Sequence, residues 1–144
     1  MKHPSKKIME EAIKFGLENS TVGVIIVQND NIIIKTGGEI FSNNHDATGH
    51  SEIVAIRKAC KKIKTNELKN CWLYTTFEPC PMCMSAICWA KVEGVVYASS
   101  QKDKNEVWKS IINISAKEII QKSEYKPKLI EEFMREEANK ILAK

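Results

Sequence analysis

Long apolar runs are missing from this chain of 144 residues, and no stretch approaches the ~20 apolar residues that a membrane-spanning helix needs. No positively charged leader followed by an apolar segment opens it, which argues against secretion. Glycine and proline are sparse, at six and four residues, and no repeat, linker or low-complexity tract interrupts the pattern. Neither sign of charge dominates, since a formal charge of +4 permits a nucleic-acid partner without requiring one. A disulfide framework is absent as well. The five cysteines are an odd number, only Cys80 and Cys83 make a C-x-x-C pair, and Cys60, Cys71 and Cys88 sit in apolar runs that suit buried thiols. The expectation is a cytoplasmic protein with one domain over residues 1–144, large enough for a core without covalent staples.

What the chain does contain is a concentrated set of metal-binding side chains. His50-Ser51-Glu52 is followed at a distance by Pro79-Cys80-Pro81-Met82-Cys83. Zinc takes imidazole and thiolate in tetrahedral geometry, and a catalytic zinc keeps three protein ligands with the fourth position left to water. His50, Cys80 and Cys83 supply three. A structural site would need a fourth ligand at suitable spacing, and none of the other cysteines offers a second C-x-x-C. Glu52, two residues from a ligand, is placed to move protons, and zinc brings the pKa of a water from ~16 to ~7. One zinc ion per subunit is the expected cofactor.

Periodicity organises the rest. Apolar spacing over residues 8–17 predicts a helix. Residues 22–27 and 32–34 read as two strands joined by a polar turn, with Gly37-Gly38 ending the hairpin and a loop running to Thr48. Ile53, Ile56, Cys60 and Ile63 space a second helix whose first turn holds His50 and Glu52. Residues 71–76 have strand composition, residues 80–90 a third helix, and residues 94–98 a fourth strand. Residues 99–106 read as a loop, and residues 108–114 stand between a short helix and ordered coil. Residues 119–121 are expected as a fifth, edge strand, and Pro127 as the start of a last helix with Ile130, Phe133, Met134, Ala138 and Ile141 inward. The expected architecture is α/β, a three-layer α/β/α sandwich around a mixed five-stranded sheet. Arg57, Lys58, Lys61, Lys62, Lys64 and Lys69 read as a solvated helix face and the turn after it. His3 and His45 read as surface residues.

On the zinc motif and on its flanks, residues 48–60 and 73–87, the chain resembles the cytidine deaminase-like zinc deaminases, in the branch of guanine and tRNA adenosine deaminases. H-x-E with P-C-x-x-C is their signature, with the glutamate as proton carrier. The resemblance implies a hydrolytic deaminase of a heteroaromatic amine, with guanine as the leading substrate. Alternatives are adenosine in tRNA, cytosine or cytidine, a pterin or aminotriazine, or a zinc-binding protein without catalysis. It also implies a homodimer, for which Met84, Ile87, Cys88 and Trp89 offer apolar surface. Two departures bear on the substrate. Where relatives carry an asparagine that holds the ring, ungapped matching puts Glu39, with Asn43 and Asn44 nearby. Where guanine deaminases use an acid after the fourth strand, matching puts Ile111, with Asp103 and Glu106 nearby. Phe41 and Trp89 are candidates for stacking on a base, and Phe77 for lining the pocket. The C-terminal glutamates, Glu131, Glu132, Glu136 and Glu137, argue against a basic tail for RNA.

Overall fold

Three strands whose side chains are almost all apolar form the middle of the sheet: Val24–Gln28 (β1), Cys71–Phe77 (β3) and Gly94–Ser99 (β4). The structure is a computed structural model that describes residues 1–38 and 45–143. Asn31–Thr36 (β2) and Lys128–Ile130 (β5) close the two edges, giving the order β2-β1-β3-β4-β5. β1 runs antiparallel to β2 and β3, while β3, β4 and β5 are parallel. β3 and β4 are buried along their whole length, as parallel strands covered on both faces must be.

Two cores share this sheet. On one face Lys6–Asn19 (α1) and Arg135–Leu142 (α5) press Met9, Ala12, Ala138 and Ile141 against Ile25, Tyr74 and Val96. On the other, Ser51–Ile63 (α2), Pro81–Trp89 (α3) and Ala116–Lys122 (α4) pack Ala55, Ala59, Met84, Ile87 and Ala116 against Val24, Ile26, Leu73 and Val95. The expected sandwich and its mixed five-stranded sheet are therefore present. The six basic residues from Arg57 to Lys69 are exposed, as a solvated face should be. Among the described residues no helix is long and apolar enough to cross a membrane.

The last third of the chain departs from expectation. Residues 119–121 are helical, because Ser115 and Glu118 form a reciprocal capping box: the Ser115 hydroxyl accepts the Glu118 N–H, and the Glu118 carboxylate accepts the Ser115 N–H. The fifth strand lies later, at β5, with Leu129 opposite Val95. Pro127 opens that strand and not a helix, since an edge strand tolerates a proline at its start. The final helix begins only at Arg135. His3 is not a plain surface residue either. Its ring stacks on Trp72 with centroids 4.4 Å apart, and its Nδ1 lies 2.7 Å from the Tyr74 hydroxyl.

Gly23 fixes how closely α1 approaches the sheet beside the future site. A Cβ there would lie 2.2 Å from the Ala12 carbonyl oxygen, and the Gly23 backbone is bonded on both sides to Thr76. Gly23→Ala should therefore cost about 1–3 kcal/mol of unfolding free energy or more, measurable by denaturant titration. An unchanged midpoint would contradict the contact.

Candidate active site

His50 and Cys80 occupy the same local position, each the residue that caps the start of a helix. His50 precedes α2 with ψ 155° and Cys80 precedes α3 with ψ 168°, and neither side chain makes a helix-capping hydrogen bond. Residues of this kind normally turn inward to cap the free amides; here the helices start with Val54 N–H on the His50 carbonyl and Met84 N–H on the Cys80 carbonyl, and the side chains are left for another partner. Pro81 takes the first position of α3, where the missing N–H costs nothing. Cys83 follows one turn later, on the face of Cys80. The sequence expectation that His50 and Cys80 lie within the helices thus shifts by one residue, to the caps.

The approach to His50 is pinned. Asp46 accepts the Thr48 N–H and hydroxyl at 2.9 and 2.6 Å and the Arg57 guanidinium at 2.9 Å. The Thr48 hydroxyl, ahead of the backbone amide and Arg57, lowers the Asp46 carboxyl to about 2. The His50 N–H then donates to the Thr48 carbonyl at 2.8 Å.

His50 Nδ1 lies 3.6 Å from the Cys80 sulfur and 3.6 Å from the Cys83 sulfur, and all three atoms fall within 4.8 Å of one another. Tetrahedral zinc with typical Zn–N and Zn–S bonds separates such atoms by about 3.5 Å. The three residues therefore fit one zinc ion. Cys80 is the more acidic sulfur: bonding to Cys83 and then to His50 draws its thiol down to about 4, against the cost of burial. Cys83, beside that sulfur and more deeply buried, is held above the usual thiol range. The bond to Cys80 raises the His50 imidazole. Glu52 is buried, and burial first, then the Cys80 charge, raise its carboxyl to about 7.

His50, Glu52 and Cys80 open onto a cavity of about 230 Å³, with Cys83 buried behind them. Thr21, Val22 and Gly38 form one side, His50, Ser51, Glu52 and Cys80 the floor, and Phe77, Glu78 and residues 107–110 the remainder. It lies beyond the carboxyl end of β3, where the neighbour on one side is antiparallel and on the other parallel. Open α/β sheets place their ligand crevices at such switch points.

Phe77 lines the cavity as expected. Trp89 does not: it is 83% exposed and borders a separate surface groove with Ser85 and Tyr125. Asp103 is engaged elsewhere, accepting both Arg135 Nε and Nη2 at 2.8 Å and the Ser100 N–H at 2.9 Å. Glu106 points to solvent and pairs with Lys109. Glu39, Phe41, Asn43 and Asn44 lie outside the described residues. The sequence reading missed Thr21, Val22, Ser51, Glu78, Trp108, Lys109 and Ser110. Trp108 carried a signal, as a lone large aromatic inside a polar segment with no period of its own.

Comparison with known proteins agrees with this geometry. Residues 2–99 match the family model described as the cytidine and deoxycytidylate deaminase zinc-binding region. Guanine deaminase of Bacillus subtilis (strain 168) is 45% identical over 84 residues, which cover 58% of this chain and 53% of that protein, so the match spans about half of that relative's length. The tRNA-specific adenosine deaminase of Buchnera aphidicola subsp. Schizaphis graminum is 36% identical over 143 residues, covering 94% of this chain and 89% of that one. The solved structure of guanine deaminase from Nitrosomonas europaea has a TM-score of 0.77 at 20% identity, covering 94% of this chain and 80% of the other. This last likeness speaks for the fold.

Elemental analysis should find one zinc per subunit, falling at least severalfold in Cys83→Ala, and undiminished metal in that variant would remove Cys83 from the ligand set. Ligand geometry, family model and relatives converge, and the chain belongs to the zinc-dependent deaminases of the cytidine and deoxycytidylate deaminase zinc-binding family.

Proposed function

We propose that the chain hydrolyses the exocyclic amine of a free nucleobase, with guanine as the substrate and xanthine and ammonia as products. The observation that carries the reading is a buried carboxyl, Glu52, in the floor of the same cavity that exposes His50 and Cys80. His50, Cys80 and Cys83 would hold the zinc ion, and the chemistry it would supply is acidification of a water toward neutral pH. Glu52 takes one proton from the attacking water and delivers it to a ring nitrogen, then carries the second, from the hydroxyl now on the ring carbon, to the departing amine. The oxygen ends on the ring carbon, the carbon–nitrogen bond breaks, and ammonia leaves. A carboxyl raised toward neutrality serves both directions of this transfer better than an ordinary one.

The cavity suits a single ring system. At about 230 Å³ it is smaller than the ~300–1,000 Å³ of sites for drug-sized ligands. Phe77 and Trp108 contribute aromatic side chains to the lining, which suits a planar ligand, and Thr21, Lys109 and Ser110 contribute polar ones. The identity shared with the Bacillus guanine deaminase favours guanine. A second reading, deamination of adenosine in tRNA, is favoured by the match to the Buchnera enzyme across 94% of the chain and by the exposed basic face of α2. Under either reading the Glu52 chemistry is the same.

Self-association belongs to the same proposal. Met84 and Ile87 are fully buried within the subunit, so they are spent on the core. Trp89, Val107, Ile111 and Ile112 remain exposed, and a second copy would cover part of that apolar surface.

Glu52→Gln should keep its zinc and lose at least ~100-fold in kcat, the contribution of a positioned general acid and base; retained turnover would remove Glu52 from the reaction. Ammonia release measured on guanine, adenine, cytosine, their nucleosides and an adenosine anticodon stem-loop should be largest with guanine. Conversion of the stem-loop alone would favour the tRNA reading. Light scattering at micromolar concentration should give twice the 16.3 kDa subunit mass, and a monomer mass would end the dimer proposal.

A further inference from the structure

Glu78 immediately precedes Pro79 and Cys80, yet its side chain serves a distant part of the molecule. It is 5% exposed. Oε1 accepts the Gln101 N–H at 3.1 Å and the Ser100 hydroxyl at 3.4 Å, and Oε2 accepts the Ala116 N–H at 3.0 Å. Its own N–H donates to the Ser99 carbonyl at 2.8 Å, extending the β3–β4 pairing toward the cysteines. Burial, and next the charge of Glu78, hold the neighbouring Tyr97 phenol above its usual pKa.

The two amides that Glu78 accepts mark the ends of one excursion, residues 102–115, which carries Trp108, Lys109 and Ser110 of the cavity wall. The excursion is also ordered at its middle. Asn105 Oδ1 accepts the Val107 and Trp108 N–H groups at 2.9 and 2.8 Å, and its Nδ2 donates to the Leu142 carbonyl at 3.1 Å. One carboxylate therefore fastens both ends of the wall to the residue that leads into Cys80. Its two oxygens face two backbone donors, a pattern that an acceptor-only side chain satisfies and an amide does not.

We propose that Glu78 is a positioning residue that fixes the substrate wall against the His50, Cys80 and Cys83 group, and so sets how the ring is held at the reacting centre. This rests on the deaminase reading of the cavity. Trp108 and Ser110 would contact the ring equally before and during reaction, so displacing them weakens binding without slowing the chemical step.

Four variants test it, three single substitutions and one double. Glu78→Gln leaves one amide facing an N–H. Ala116→Pro leaves Glu78 intact and removes one of its donors. Proline is accepted at the first position of a helix, and Ser115 already has the extended conformation (φ −74°, ψ 157°) of a residue before proline. Both should keep one zinc per subunit, raise KM by about tenfold, and leave kcat within about twofold. Combining Glu78→Gln with Trp108→Ala should give less than the product of the two separate KM effects, because both act through the same wall.

Amide hydrogen exchange gives a reading that needs no substrate. Exchange over residues 105–110 should quicken on the order of tenfold in Glu78→Gln and in Ala116→Pro while α3 stays protected. Unchanged exchange over 105–110 would overturn the proposal, and so would loss of zinc, a fall in kcat at constant KM, or fully multiplicative KM effects in the double variant. If the wild type acted on no base, the nucleobase reading would fail, while the exchange result would still decide the tie between Glu78 and the wall.

Discussion

Two helix starts aimed at one point set the terms for the rest of the molecule. His50 and Cys80 each give up the usual work of a capping side chain, and α2 and α3 must then lie on the same face of the sheet with their amino ends together. The packing beneath them is compatible with that demand. Ala55 and Ala59 on α2 are fully buried and small, so the helix can lie close to β1, while Met84 and Ile87 fill the space under α3. The carboxyl end of β3 delivers Phe77 and Glu78 to the same spot before the chain turns into Cys80.

The floor and the wall of the cavity are built differently. The floor consists of side chains projecting from the first residues of helices, whose positions follow from backbone geometry and a packed core. The wall, residues 107–110, belongs to no helix or strand and is held by side-chain bonds from Asn105 and Glu78. A buried carboxyl in the floor sits where few water molecules can compete, and that gives Glu52 a proton affinity close to neutrality. The surroundings of one side chain thus tune its chemistry, while another stretch of chain shapes what can reach it.

This division also explains what could be read from the residues alone. His50, Glu52, Cys80 and Cys83 were legible because each pair is close in sequence and helical spacing fixes its relative placement. β1, β3 and β4 were legible because buried central strands are continuous apolar runs. The wall was not, because its place depends on a bond from Glu78 to Ala116 across 38 positions, which no local pattern encodes. Trp89 misled because α3 is apolar nearly all round, and periodicity cannot choose the buried side of such a helix. At residues 119–121 an apolar pair outweighed a capping signal, Ser115 with Glu118, that was present in the sequence. The paired Asp103 and Arg135 show the same limit, since a carboxylate near a site in sequence was already committed to a helix elsewhere.

The return of both ends of the wall to a single carboxylate also bears on how such a domain can diversify. Between Gln101 and Ala116 the chain leaves the sheet and comes back to nearly the same place, so its length is decoupled from the register of β4 and from the start of α4. Each doubling of such a closed segment costs only about 0.6 kcal/mol of closure entropy. New residues inserted there would reshape the entrance while the metal-binding helices kept their aim, which makes this stretch the natural place for one scaffold to acquire different substrates.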